Sequence, residues 1–130
     1  MATLPERIQT AQSLQEKRQL FFDDLLEFYV DHPERRAVDD RGNCQYDNGK
    51  GCHCAIGRWL IYDEDFPYGK AISYVTLAAL YSQYIPEWLS DLGTDFLEDM
   101  QTIHDSYLRP IRLQYLEDNL NRLRTRWCLR

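Results

Sequence analysis

Apolar positions recur at helical spacing over residues 5–31, where Ile8, Leu14, Leu20, Phe21, Leu25, Phe28 and Tyr29 gather on one side of a 3.6-residue repeat. The pattern predicts one long amphipathic helix. It is entered through Pro5 in its first turn and ended at His32-Pro33, because the residue before a proline is pushed out of the α region. A second repeat closes the chain: Leu113, Leu116, Leu120, Leu123 and Trp127 alternate by three and four residues and form a narrow apolar seam over 110–128. Such a seam packs within the monomer or on a copy of itself, and the first is the simpler reading.

Between these helices the helical repeat dissolves and then resumes. Asp39-Asp40-Arg41-Gly42 and Asp47-Asn48-Gly49 are turn signals, and Asn43-Cys44-Gln45-Tyr46 between them alternates as a strand does. They predict a small β-hairpin at 36–53. Helical patterning returns over 54–61, with Ile56, Trp59 and Leu60 on one side, and again over 71–84 and 87–92. Gly93 is placed to end the last of these, and Thr94 to cap a helix over 95–107 with Phe96, Leu97, Met100, Ile103 and Tyr107 inward. The expected fold is mainly α (α+β). One compact domain spans 1–130, with an N-terminal helix at 5–31, a hairpin and motif core at 34–108 and a C-terminal helix at 110–128.

Composition agrees with a packed domain, since 44% of the 130 residues are apolar and 28% charged, which leaves no case for general disorder. The net charge of −6 argues against a duplex nucleic-acid binder, whose affinity comes from clustered Lys and Arg. The balance is uneven: Arg109, Arg112, Arg122, Arg124, Arg126 and Arg130 make the C-terminal segment basic and leave the rest acidic. Residues 1–12 lack the charged lead and apolar run of a signal peptide, and no stretch approaches a membrane span. A cytoplasmic protein without membrane partners is expected, with its four cysteines held reduced.

Three of those cysteines crowd into GNCQYDNGKGCHCAIGRWL at 42–60, and the stretch admits several chemistries. Cys44, Cys52 and Cys54, with His53 or His104, are ligand types that zinc accepts, although Cys-x7-Cys-x-Cys lacks the paired spacing of a zinc knuckle. A thiol hydrolase would use Cys54 at a helix start, where the dipole favours thiolate, with His104 as base and Asp105 as orienting acid. An anion-binding loop would use Gly49, Lys50 and Gly51, the following helix start and the charge of Arg58. The plainer alternative is a turn over a buried cysteine, with His104 packed at the edge of the core.

Cys44-x-Tyr46, then Cys54-Ala55-Ile56-Gly57-Arg58, then Ile85-Pro86, and finally Phe96-Leu97-x-x-Met100-Gln101-x-Ile103-His104-Asp105 resembles a family of small phage and prophage proteins. The likeness covers about residues 38–108 and departs from the family pattern at Cys52-His53 and in the aromatic loop at 62–84. The resemblance implies a setting and not a reaction: a non-enzymatic counter-defence protein in the cytoplasm of an infected bacterium. It would sequester a cyclic nucleotide or ADP-ribose-like immune signal, or inhibit a host defence protein. The nucleotide version would use Tyr46, Lys50, Gly51, Cys54, Arg58 and His104, with no cofactor. The alternatives are the hydrolase of Cys54, His104 and Asp105, and a zinc-stabilised module of Cys44, Cys52, Cys54 and His104. A homo-oligomer would form through the seam at 113–127.

Overall fold

The computed structural model describes residues 2–38, 45–47, 51–68 and 72–130. Among them are six α-helices: α1 (Leu4–Thr10), α2 (Leu14–Tyr29), α3 (Tyr74–Leu80), α4 (Glu87–Ser90), α5 (Thr94–Thr102) and α6 (Leu116–Trp127). None is long and apolar enough to cross a membrane.

The single helix expected at 5–31 is two helices, and two capping motifs are the reason. Thr3 accepts from the Glu6 N–H at 3.3 Å while the Glu6 carboxylate accepts from the Thr3 N–H at 3.3 Å, which starts α1. Ala11 is extended, and Ser13 opens a new helix by accepting from the Glu16 N–H at 3.1 Å. The Glu16 side chain reaches back to the Gln12 N–H at 3.2 Å. Separate caps let α1 fold back on α2 and bury Leu4 and Ile8.

The α2 helix is the spine of the core. Its Phe21, Phe22, Leu25 and Tyr29 are buried, as are Phe96, Leu97 and Met100 of α5 and Leu120 and Leu123 of α6. Phe21 meets Phe96 edge-on at 6.1 Å, and Phe96 meets Trp127 edge-on at 5.4 Å. The guanidinium of Arg18 lies 5.3 Å from the Phe96 ring centre and 4.8 Å from that of Trp127, and Arg18 donates to the Leu92 carbonyl at 2.9 Å. Gly93, at φ 99°, must be glycine, since any Cβ there would also stand 2.8 Å from that guanidinium. Gln15 holds the far end of α6 by donating to the carbonyls of Trp127 and Cys128 at 3.0 and 2.6 Å. The apolar seam is therefore consumed within the monomer at Leu120, Leu123, Leu116 and Trp127, and only Leu113 is left exposed.

Four further expectations change. No strand forms among the described residues, so the hairpin predicted at 36–53 is not seen; an isolated antiparallel bridge joins Asp47 to His53. Residues 39–44 and 48–50 of that span lie outside the described residues. The helix predicted over 54–61 shrinks to a 3₁₀ turn, Gly57–Trp59, because Leu60 turns extended and Ile61 donates instead to the Tyr84 carbonyl at 2.8 Å. The helix predicted over 95–107 with Thr94 as its cap instead includes Thr94 as its first residue, with Gly93 at the cap position and no side-chain cap. It ends as α5 at Thr102 and continues as a π turn, Ile103–Tyr107, in which the Leu108 N–H reaches the Ile103 carbonyl at 3.1 Å. Likewise the predicted 110–128 helix begins as a 3₁₀ run, Pro110–Tyr115, before α6.

Candidate functional site

The stretch around Cys54 and the end of α5 meet at one place, tied by backbone groups that neither helix nor sheet satisfies. The Cys54 N–H donates to the Tyr46 carbonyl at 3.2 Å. Gly57 sits against that same carbonyl so closely that a Cβ would stand 2.0 Å from its oxygen. The Tyr62 hydroxyl closes the corner by donating to the Gly57 carbonyl at 2.6 Å. Gly57 is therefore required by a close backbone approach, and its φ is unremarkable.

From this corner a chain of hydrogen bonds runs into the π turn. Ile56 donates its N–H to Gln101 Oε1 at 3.3 Å, and Gln101 Nε2 donates to Asp105 Oδ1 at 2.8 Å. The same oxygen lies 2.6 Å from His104 Nδ1, while the Ala37 N–H donates to His104 Nε2 at 3.0 Å. An amide N–H can only donate, so Nε2 is the acceptor and the ring proton sits on Nδ1, facing Asp105. His104 is a neutral imidazole with both nitrogens engaged. Burial holds its pKa below the ordinary histidine value, against the opposing pull of the Asp105 carboxylate. Its carbonyl accepts from Arg36 Nε at 2.9 Å, and the Tyr29 ring packs edge-on at 5.2 Å. Tyr29 in turn donates its hydroxyl to the His53 carbonyl.

Cys54 is fully buried, and its sulfur accepts from the Gly57 N–H at 3.1 Å. Burial pushes its thiol pKa well up, with the nearby Asp105 carboxylate adding to the rise. Thiolate is disfavoured where a nucleophile would need it. The helix start expected at Cys54 is absent, so the dipole that would have lowered this pKa is absent with it. The His104–Asp105 pair expected for a base and its orienting acid does form. The nitrogen that would take a proton is the one the Ala37 amide occupies.

Arg58 points away from this centre toward α2. Its Nη1 lies 2.8 Å from Asp24 Oδ2, and its guanidinium lies 3.6 Å from the Phe28 ring centre and 4.6 Å from that of Trp59. The charge expected to hold an anion is matched inside the protein. Tyr46, expected among the nucleotide-binding residues, is buried, and its hydroxyl has no hydrogen-bond partner among the described residues. Gly51 takes a left-handed φ of 86° in open space. Lys50 and Cys44 lie outside the described residues. Cys52 donates to the Glu34 carbonyl at 3.7 Å, and His53 Nε2 lies 3.3 Å from Asp47 Oδ2. Among the described residues no three His, Cys, Asp or Glu side chains are grouped to hold a metal ion.

Sequence reading brought the right segments forward and missed their partners. Asp24 and Phe28, which engage Arg58, and Ala37, which occupies His104, carry no local signal because they lie 30 to 67 positions from the groups they meet. Comparison with protein-family models, curated proteins and solved structures finds no match to the chain.

Proposed function

We propose that this chain is a non-enzymatic binding protein and that, in the setting its motifs resemble, it serves a phage by inhibiting a host defence protein in the infected cell. The observation that carries the reading is that the Cys54 thiol and the His104 imidazole are both sealed and engaged inside the fold. Hydrolysis by Cys54 and His104 needs a thiolate and a free imidazole nitrogen, whereas the thiol is buried and protonated and Nε2 is occupied. A nucleotide-type signal sequestered through Arg58 would first have to displace Asp24. The motif residues thus act as scaffold, which leaves binding to the outer surface.

Charge supports a protein partner. Six arginines against Glu117 and Asp118 give residues 109–130 a net +4, so with −6 for the whole chain residues 1–108 carry −10. A surface so acidic steers the chain toward a basic site on its partner and repels nucleic acid.

The test pairs two measurements on the purified chain. In the first, cyclic dinucleotides, cyclic trinucleotides and cyclic ADP-ribose isomers are incubated with it, free ligand is filtered away, and mass spectrometry reads what heat releases. All inputs are expected intact and none retained. In the second, a bacterial protein captured on the chain at low salt is purified and titrated back, with affinity expected to fall as salt rises. Retention of one nucleotide would shift the reading to a sponge, and consumption of any input would overturn the non-enzymatic assignment.

A further inference from the structure

Two exposed strips of this molecule are complementary in charge, and both leave apolar side chains in water. The first is the 3₁₀ run Pro110–Tyr115, in which no residue is buried: Ile111 is 80% exposed, Tyr115 55% and Leu113 41%. Six residues is long for a 3₁₀ helix, whose hydrogen bonds are poor and whose runs seldom exceed ~4 residues. At three residues per turn, Arg112 and Tyr115 form one ridge and Pro110 and Leu113 another. Arg112 has no carboxylate partner among the described residues, and Arg109 uses Nε on the Asp105 carbonyl at 3.0 Å.

The second strip is the loop 61–68, where Ile61 is 59% exposed and Tyr68 49%. Between them lie Asp63, Glu64 and Asp65, all exposed. The Tyr84 hydroxyl donates to Asp63 Oδ1 at 2.9 Å, which anchors the loop on the core. The Glu64 and Asp65 carboxylates meet no cation among the described residues. The loop is also backed by Phe66, buried beneath Tyr62 and Tyr84 with ring centres 4.6 and 5.1 Å away. It is therefore a built surface carrying negative charge that no described cation pairs, beside apolar groups.

We infer that these strips dock on one another between two copies of the chain, the basic 110–115 run of each copy lying on the acidic 61–68 loop of the other. A two-fold axis satisfies both contacts at once, because what one copy offers its partner requires. The pairing buries Ile111, Leu113 and Tyr115 against Ile61 and Tyr68, and sets Arg112 opposite Glu64 and Asp65. Charge complementarity selects a second copy, since each strip holds what the other lacks. The α6 seam takes no part, because Leu120 and Leu123 are already buried in the monomer.

Sedimentation equilibrium of the full chain is the test. The wild type is expected to form a dimer that weakens as salt rises from about 0.05 M to about 0.5 M, where the Debye length has fallen to about 4 Å. Arg112→Glu and Asp65→Arg are each expected to raise the dimer dissociation constant about tenfold or more, as like charges then face each other. Mixing the two variants should recover most of the dimer, because one of the two contacts in the mixed pair is then wild type and the reversed charges at 112 and 65 are opposite in the other. Circular dichroism checks that both variants stay folded, as exposed positions should allow. A wild type that stays monomeric, or a dimer indifferent to both reversals and to their mixture, would overturn the inference. A monomer that still captures a partner protein would overturn only the dimer and leave the binding reading in place.

Discussion

The motif centre and the 110–115 run lie close in sequence and manage polar groups in opposite ways. Around His104 the donors and acceptors of Ala37, Ile56, Gln101 and Asp105 are matched to one another, and the thiol of Cys54 is sealed beneath Gly57. Along 110–115 the side chains face water, with three apolar groups exposed and a guanidinium that meets no carboxylate among the described residues. A buried polar network that is fully satisfied makes a structure specific and rigid. A surface left unsatisfied offers free energy to whatever covers it. The described residue types that suggest chemistry are therefore engaged inside the fold, while a segment with no motif leaves its side chains in water.

The hardest break of this contrast is at Gly57. Gly57→Ala puts a Cβ 2.0 Å from the Tyr46 carbonyl oxygen, where only backbone movement can relieve it. The expected loss is about 3 kcal/mol or more, close to the upper range for overpacking, read as a fall in the urea midpoint or as failure to fold. His104→Ala comes next. It removes a fully buried ring and leaves the Ala37 amide unpaired, for an expected loss of about 2–4 kcal/mol in the same measurement.

Acidity probes the same network without a cavity. His104 is neutral in the folded chain and its pKa is lowered by burial, so below about pH 6.5 the unfolded chain binds a proton that the folded chain refuses. The His104 contribution is full above that pH and is lost as pH falls toward the lower folded value. Protonated Nε2 would also face the Ala37 N–H donor to donor. Stability measured from pH 7 to pH 5 should fall, with Asp105 and Arg36 as the charged groups facing the ring, and the slope should flatten in His104→Gln.

Smaller effects separate scaffold from surface. Cys54 in the folded chain should alkylate about a hundredfold or more slower than the exposed Cys128, because its reaction waits on opening of the core. Arg58→Ala should cost about 1 kcal/mol through the lost Asp24 pair and the lost stacking on Phe28, without creating or removing any nucleotide affinity. Arg112→Glu should change monomer stability by less than about 0.5 kcal/mol, as exposed substitutions do, while self-association reports it strongly.

The early helices show how much was legible. The Ser13-x-x-Glu16 signature states the break between α1 and α2 in four letters, yet a helical repeat that runs across it points to one helix. The Cys54 turn went the other way: an apolar pattern at 56, 59 and 60 suits a helix, but the Ile61 amide finds the Tyr84 carbonyl and the helix is not propagated. In the π turn one added residue re-aims the end of α5, so that His104 is buried while Asp105 still reaches Gln101. Nothing in the local sequence announces that turn.

What the sequence by itself determined is the helical character of the chain and the charge division between the body and its C-terminal end. These rest on interactions within about four residues, or on composition, and both can be read from a string. The tertiary structure alone decided which nitrogen of His104 carries its proton, that Arg58 belongs to Asp24, that Cys54 is sealed, and that 110–115 is left in water. Each of those depends on a partner tens of positions away, and a group's protonation and availability follow from what the fold sets beside it.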